Sequence, residues 1–140
     1  MFYAKKDVVF YEKTGCAGNK KQKELLQAND IEFKVKSLLD TKWDKTTLES
    51  FFEGLDKKEI INQFAPNVKS GEIDVNSLTK EQLIYKMIEE PILIKRPLII
   101  IENRKICGFD IPKLNEALNL KLDTKKQIGT CQSSDECITA

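Results

Sequence analysis

An apolar segment near the start of the chain leads through a short turn into a cysteine and a helical pattern. Residues 8–11 are typical of a buried strand, and residues 16–29 show the spacing of an amphipathic helix. An alternation of apolar and charged residues follows, with apolar positions at Ile31, Phe33 and Val35. This alternation predicts a second strand with one solvated face. A strand–helix–strand crossover of this length predicts that the two strands are parallel.

The middle of the chain is predicted to be helical. Three polar residues stand where they can cap helix N-termini: Asp44, Asp56 and Thr79. The helix that follows Asp56 is expected to continue until just before Pro66, and residues 66–76 read as a loop. The helix after Thr79 completes this segment.

The last third of the chain returns to strand patterns. Residues 97–101 form a continuous apolar run that is typical of a central strand. A tight turn is expected at Asn103 and Arg104, and residues 105–109 are expected to run back as an antiparallel partner. Asp110 is placed to cap a final helix.

This order of elements predicts an α/β fold of the thioredoxin-like (glutaredoxin-like) class, with a β-α-β…β-β-α core. We expect one domain over residues 1–120, with an inserted helical subdomain at about residues 41–92. Residues 121–140 lack a strong period and are expected to form a flexible C-terminal tail that contains two cysteines.

The predicted fold places Cys16 at the N-terminus of the first helix. There the helix dipole and the backbone N–H groups favour the thiolate, which is the reactive form of cysteine. The N–H groups of residues 17–19 are also suited to bind an anion. The alternative is that Cys16 is only a small buried apolar residue. We interpret Cys16 as a redox-active nucleophile.

The other three cysteines have different settings. Cys107 lies among apolar residues on a predicted strand, which favours core packing. Cys131 and Cys137 lie in the predicted tail, where they are candidates for a resolving pair that attacks a sulfenate or mixed disulfide at Cys16. A tether of this kind raises the effective concentration of a thiol to the millimolar range. The alternative is a pair of solvated thiols or a disulfide formed in air.

Composition excludes several classes of function. The chain has 23 basic and 22 acidic residues, which gives no reason to expect nucleic acid or an anionic membrane as a direct partner. It has no histidine and no closely spaced cysteine pair, so no metal site is predicted. No signal peptide or membrane span is apparent, and the expected location is cytoplasmic.

Several short motifs resemble the arsenate reductase (ArsC)/Spx branch of thioredoxin-like proteins across residues 7–118. The landmarks are Phe10-Tyr11 before Gly15-Cys16, residues 91–98 and residues 105–109. Within that branch the chain most resembles the nitrogenase-associated proteins. The shared segments are residues 11–13, 15–17, 66–72 and 108–110.

The resemblance implies roles for individual residues. Cys16 matches the nucleophile that attacks the bound oxyanion in the reductases of this branch, and Arg96 matches the arginine before a cis-type proline, Pro97. The residues after the nucleophile would contribute to anion or substrate binding, and their sequence departs from the family's usual one: Ala17, Gly18, Asn19 and Lys20.

Two of the three arginines that hold the anion in those reductases have no counterpart. Gly108 stands where the last arginine is usual. The first arginine is missing from residues 56–72, where the cations are Lys57, Lys58 and Lys69. A lysine does not replace a bidentate guanidinium, so we expect arsenate reduction to be inefficient.

The sequence is therefore interpreted as that of a thiol-dependent oxidoreductase-like protein of the arsenate reductase family, with Cys16 as nucleophile. By resemblance, glutathione or glutaredoxin would be the reductant, with glutathione as a co-substrate and no bound cofactor. The alternative is a non-catalytic regulatory or interaction protein. Spx proteins of this branch bind RNA polymerase, and the nitrogenase-associated subgroup points to a nitrogenase-related partner.

Overall fold

The structure, a computed structural model, describes residues 7–122. Within this range four strands form one sheet in the order β2-β1-β3-β4. Their bounds are β1 Val8–Glu12, β2 Lys34–Ser37, β3 Leu98–Ile101 and β4 Arg104–Cys107. Strand β1 is parallel to β2 and antiparallel to β3, and β3 is antiparallel to β4. The α/β class and the predicted thioredoxin-like strand arrangement are confirmed.

Helices cover both faces of the sheet. Their bounds are α1 Ala17–Ala28, α2 Lys45–Phe52, α3 Lys57–Ile60, α4 Pro66–Lys69, α5 Lys80–Glu89 and α6 Ile111–Leu118. Two short 3-10 helices cover Val75–Ser77 and Pro91–Leu93. The predicted N-caps are confirmed, because each side chain accepts a bond from the backbone N–H three residues later: Asp44, Asp56, Thr79 and Asp110.

Strand β3 contributes side chains to a buried cluster on each face of the sheet. Ile99 and Ile101 pack with residues of α1 and α6. Leu98, joined by the partly buried Ile100, packs with residues of α2 and α5 on the opposite face. A strand covered on both faces has no solvated side, which explains the uninterrupted apolar run.

Aromatic residues connect the end of β1 to the helical segment. The ring of Tyr11 lies 4.9 Å from the ring of Trp43 and 6.4 Å from that of Phe51, measured between centroids. The Trp43 indole N–H donates to the Leu38 carbonyl at 2.8 Å. These contacts hold the chain after β2 against the sheet end where β1 finishes.

The second strand is shifted from its predicted position. Strand β2 begins at Lys34, so Ile31 and Phe33 precede it, although both are partly buried against the core. Val35, predicted to face the core, is 47% exposed. The reason is that β2 is an edge strand and the alternation alone does not reveal whether a helix covers its apolar face.

Three further boundaries differ from prediction. Helix α3 ends at Ile60, because Ile61 forms an antiparallel bridge with Ile94. The segment 66–76 was expected to be a loop but begins with α4, whose first residue is a proline suited to a helix start. The tight turn lies at Glu102 and Asn103, one residue earlier than predicted, and Glu102 has a positive φ of 54°.

Candidate functional site

The Cys16 region and the Arg96–Pro97 region meet at one end of the sheet. In the antiparallel register of β1 and β3, Tyr11 pairs with Leu98. The residues that follow Tyr11 and the residues that precede Leu98 therefore leave the sheet at the same end. The topology thus brings together the segments that carry the two residues predicted to be catalytic.

A tight turn places Cys16 at the start of α1. The Cys16 N–H donates to the Lys13 carbonyl at 3.0 Å, which closes a four-residue turn. Gly15, the third residue of that turn, has φ +85°, a conformation that glycine adopts without a steric cost. The Cys16 sulfur then caps α1 by accepting the Asn19 N–H at 3.5 Å. The predicted position of Cys16 at the helix N-terminus is confirmed.

The Asn19 side chain links the turn to the helix. Its Oδ1 accepts the Lys13 N–H at 3.1 Å, and its Nδ2 donates to Gln22 Oε1 at 2.9 Å. Asn19 is 2% exposed, and Lys13 and Gln22 are also buried. This group of three polar residues was not predicted, because an amide inside a helix does not reveal by sequence which backbone group it contacts.

The backbone donors after Cys16 are partly committed to the helix itself. The Asn19 N–H points to the Cys16 sulfur, and the Lys20 N–H donates to the Cys16 carbonyl at 3.0 Å. Of the three N–H groups predicted to bind an anion, that of Asn19 is therefore directed at the sulfur, whereas anion binding by the N–H groups of Ala17 and Gly18 stays a prediction; the side chain of Lys20 is exposed.

Cys16 lies at the boundary between core and surface. Its own exposed fraction is 3%, while its neighbours Gly15 and Ala17 are exposed. The Cys16 sulfur is in a disulfide bond, and Cys107 is a free thiol. The candidate resolving residues Cys131 and Cys137 lie outside the described residues.

Arg96 and Pro97 are buried where β3 begins. Arg96 is 9% exposed, and the Arg96–Pro97 peptide bond is cis, as predicted. A buried arginine keeps its charge, because its pKa is too high for it to lose the proton in a protein. Arg96 is thus a permanent cation at the same end of the sheet as Cys16.

The chain before Arg96 is held by the last residue of α3 and by the segment that follows this helix. The Lys95 N–H donates to the Ile60 carbonyl at 2.9 Å. The Asn62 N–H donates to the Leu93 carbonyl at 2.8 Å, and the Asn62 side-chain amide donates to the Ile92 carbonyl at 3.0 Å. Asn62 is another buried polar residue whose role the local sequence pattern does not reveal. These bonds fix the approach of the chain to Arg96.

A larger side chain at Gly108 would hold a strained backbone conformation and would require a small shift of the flexible end of Lys95. The φ of Gly108 is +84°, and its N–H donates to the Pro97 carbonyl at 2.7 Å. A Cβ at this position would lie 3.1 Å from Lys95 Cε and 3.6 Å from Lys95 Nζ. A lysine ammonium therefore lies beside the position where the family resemblance leads one to expect an arginine.

Lys57, one of the cations noted in residues 56–72, has a structural role. Its ammonium donates to three backbone carbonyl groups, those of Leu78 at 2.7 Å, Val75 at 3.1 Å and Asn76 at 3.4 Å. An ammonium has three donors, so these bonds commit Lys57 to the loop before α5. It does not replace a missing arginine.

Cys107 is a core residue, as predicted. It lies on β4 opposite Leu98 and packs in the cluster with α2 and α5. Burial raises the pKa of the Cys107 thiol to about 12, and this effect outweighs the opposite influence of Lys95 and Lys113. Cys107 therefore stays protonated at neutral pH, in contrast to what the setting of Cys16 favours.

No helix in the described part of the chain is long and apolar enough to cross a membrane.

Comparison with known proteins gives a consistent assignment. A curated relative, the uncharacterized 15.7 kDa protein in the draG 3' region of Rhodospirillum rubrum, is 34% identical over 127 residues, covering 91% of this chain and 89% of that protein. The global transcriptional regulator Spx 2 of Bacillus anthracis is 25% identical over 113 residues, covering 79% and 86% of the two chains.

A solved structure agrees at the level of the fold. An arsenate reductase from Vibrio cholerae superposes with a TM-score of 0.67 at 21% sequence identity, covering 84% of this chain and 100% of that one. The model of the ArsC family matches residues 11–117, which include Cys16, Arg96 and Pro97. The chain belongs to the ArsC family.

Proposed function

We propose that the protein is a thiol-dependent oxidoreductase in which Cys16 is the nucleophile. The observation that carries the proposal is the placement of the Cys16 sulfur as the N-cap of α1, at the sheet end where the buried Arg96 also lies. A sulfur in this position is stabilised as the thiolate by the helix dipole. Arg96 supplies a fixed positive charge for the thiolate or for an anionic substrate.

The proposed reaction is thiol–disulfide exchange with glutathione. The Cys16 thiolate attacks the glutathione sulfur of a substrate disulfide that carries one glutathionyl group, the S–S bond breaks, and the reduced substrate leaves as its thiolate. A glutathione thiolate then attacks the glutathione sulfur of the Cys16 mixed disulfide, which releases the Cys16 thiolate and forms glutathione disulfide; the thiolate of a glutaredoxin can take the place of glutathione in this step and becomes glutathionylated. In this scheme glutathione is a co-substrate and the cytoplasm is the proposed location, because glutathione is kept reduced there.

The test uses protein with Cys131→Ser and Cys137→Ser, reduced and freed of reductant. Glutathione disulfide should add one glutathionyl group, and digestion should place it on Cys16. The matched control Cys16→Ser should gain none. Arg96→Met should react more slowly than Arg96→Lys, which retains a charge. A protein that acquires the group on Cys107 first, or not at all, contradicts the proposal.

A second candidate is a non-catalytic regulatory role. It is favoured by the similarity to a global transcriptional regulator and by the absence of an arginine at Gly108. On this proposal Cys16 is a redox sensor and the partner is a protein, either RNA polymerase or a nitrogenase-related protein. The measurement that separates the two is turnover: an enzyme reduces substrate many times per Cys16, whereas a sensor reacts once.

A further inference from the structure

We propose that Asn19 is a positioning residue for the Cys16 sulfur. The inference rests on the proposed function, in which Cys16 is the reacting group, and gives Asn19 a role different from the anion or substrate binding that the family resemblance implies for it. Asn19 acts through the turn that precedes Cys16 and through the first turn of α1.

Asn19 contacts the sulfur directly through its backbone and indirectly through its side chain. Its N–H donates to Cys16 Sγ at 3.5 Å. Its Oδ1 accepts the N–H of Lys13 at 3.1 Å, and the carbonyl of the same Lys13 accepts the Cys16 N–H at 3.0 Å. Residue 13 is thus held at both its N–H and its carbonyl, one by Asn19 and the other by Cys16.

The orientation of the Asn19 amide is set from the other side by Gln22. Asn19 Nδ2 donates to Gln22 Oε1 at 2.9 Å, so Oδ1 must face Lys13. Asn19 is 2% exposed, and water cannot easily replace these bonds when they are lost. An aspartate would keep the acceptor for Lys13 but would lose the donor to Gln22 and bring a negative charge next to the sulfur.

The arrangement predicts that the reactivity of Cys16 depends on residue 19. Without the amide, the turn at residues 13–16 is free to move relative to α1, and the sulfur no longer stays at the helix N-terminus where its thiolate is favoured. A role limited to stability would lower the unfolding temperature but leave the pH dependence of Cys16 alkylation unchanged.

The experiment measures the alkylation rate of Cys16 by iodoacetamide between pH 5 and 9, by mass spectrometry, in reduced protein with Cys131→Ser and Cys137→Ser. We expect Asn19→Ala to raise the pH of half-maximal rate by about one unit and to slow the reaction at pH 7 several-fold, up to a limit of about tenfold. Asn19→Asp should raise it by one to two units, because the carboxylate repels the thiolate. Asn29→Ala is the matched control, since it removes an asparagine bond at the other end of α1.

The Asn29→Ala control should show the same pH dependence of Cys16 alkylation as the parent. A folded Asn19→Ala variant with the parent's pH profile overturns the inference. Where Asn19→Ala does not fold, Asn19→Asp decides, and an unchanged profile in that variant also overturns it. The parent protein alone tests the proposed function. If its Cys16 is alkylated no faster at pH 7 than free glutathione, Cys16 is not an activated thiol, whatever the ratio of the alkylation rates of variant and parent.

Discussion

At the scale of single residues, the two cysteines of the described chain differ in what surrounds them. Cys16 caps a helix, where its thiolate is favoured, whereas Cys107 lies on a strand within the core; both are buried, with exposed fractions of 3% and 7%. Limited alkylation at neutral pH of reduced protein with Cys131→Ser and Cys137→Ser should therefore label Cys16 first. Denatured protein is the control and should label both. Faster labelling of Cys107 in the folded protein would end the idea that Cys16 is the activated thiol.

Cys107 also predicts a pH dependence of stability. Its thiol pKa is raised from 9.0 to about 12 in the folded protein by burial. The contribution of the protonated, buried Cys107 thiol to the free energy of unfolding is therefore fully present below pH 9. It is lost as pH rises toward 12, because the unfolded chain then releases the proton and the folded chain does not. Between pH 8 and 10 this residue should cost about 1 kcal/mol of unfolding free energy.

Urea denaturation of the parent and of Cys107→Val at pH 8 and pH 10 measures this contribution. The comparison removes the effect of lysines and tyrosines that both proteins share. We expect the parent to lose about 1 kcal/mol more than Cys107→Val over this interval. An equal loss in the two proteins would show that Cys107 ionises as readily in the folded chain as in the unfolded one.

Gly108 and the missing first arginine predict weak arsenate reduction. Each lost charge-assisted contact removes about 1.5–3 kcal/mol, so two losses lower activity by at least about a hundredfold. A glutaredoxin-coupled assay should give a rate at least that far below a three-arginine enzyme, with Cys16→Ser defining the background. A rate comparable to that of the three-arginine enzyme would contradict this prediction and would implicate Lys95 as a replacement cation.

At the scale of elements, lysine side chains hold the helical segment together by binding backbone carbonyls. Lys57 donates to the loop before α5, and Lys80, at the start of α5, donates to the Phe52 and Leu55 carbonyls at 2.7 Å each. The bonds of Lys57 connect α3 to the loop before α5, and the bonds of Lys80 connect α5 to the end of α2 and to the residues that follow it. The stability of this segment therefore depends on contacts between elements more than on the short helices themselves.

Lys57→Met should destabilise the protein by about 1–3 kcal/mol, because it keeps much of the side chain's length but leaves carbonyl groups without their charged donor. Thermal unfolding should show a decrease of several degrees in Tm. Lys58→Met is the matched control: Lys58 is adjacent and exposed, and its replacement should change Tm by little. Equal changes in the two variants would argue against a structural role for Lys57.

At the scale of the whole molecule, the tail cysteines remain candidates for a redox partner of Cys16. A thiolate oxidised to sulfenate needs a thiol nearby to protect it from irreversible oxidation. Residues 119–130 span up to about 40 Å when fully extended, which is enough to cross a domain of this size. Limiting peroxide followed by digestion without reductant should yield a Cys16–Cys131 or Cys16–Cys137 crosslink.

Two outcomes would show that the tail cysteines are not a redox partner of Cys16. Recovery of a Cys131–Cys137 crosslink alone would show an independent disulfide. The double variant Cys131→Ser, Cys137→Ser should accumulate sulfinate at Cys16 faster than the parent under the same peroxide treatment. Equal rates in the two proteins would mean that the tail gives Cys16 no protection.

Local patterns in the sequence were sufficient for features that depend on near neighbours. The helix caps at Asp44, Asp56, Thr79 and Asp110 are confirmed because a cap joins residues only three positions apart. The apolar run before Gly15 and the glycine itself likewise predicted that Cys16 starts a helix.

Tertiary structure decided the features that depend on residues far apart in the chain. Helix α3 stops at Ile60 because Ile61 bridges to Ile94, and Val35 is exposed because β2 lies at the sheet edge. Lys57 is committed to carbonyl groups about twenty residues away. The sequence alone determined where α1, α2, α3, α5 and α6 begin, although not α4, and that Cys16 lies at the start of α1, since these features are local. Which cations are buried, as Arg96 is, and which bind distant carbonyl groups, as Lys57 does, depended on how the chain packs, because packing brings together groups that no sequence period connects.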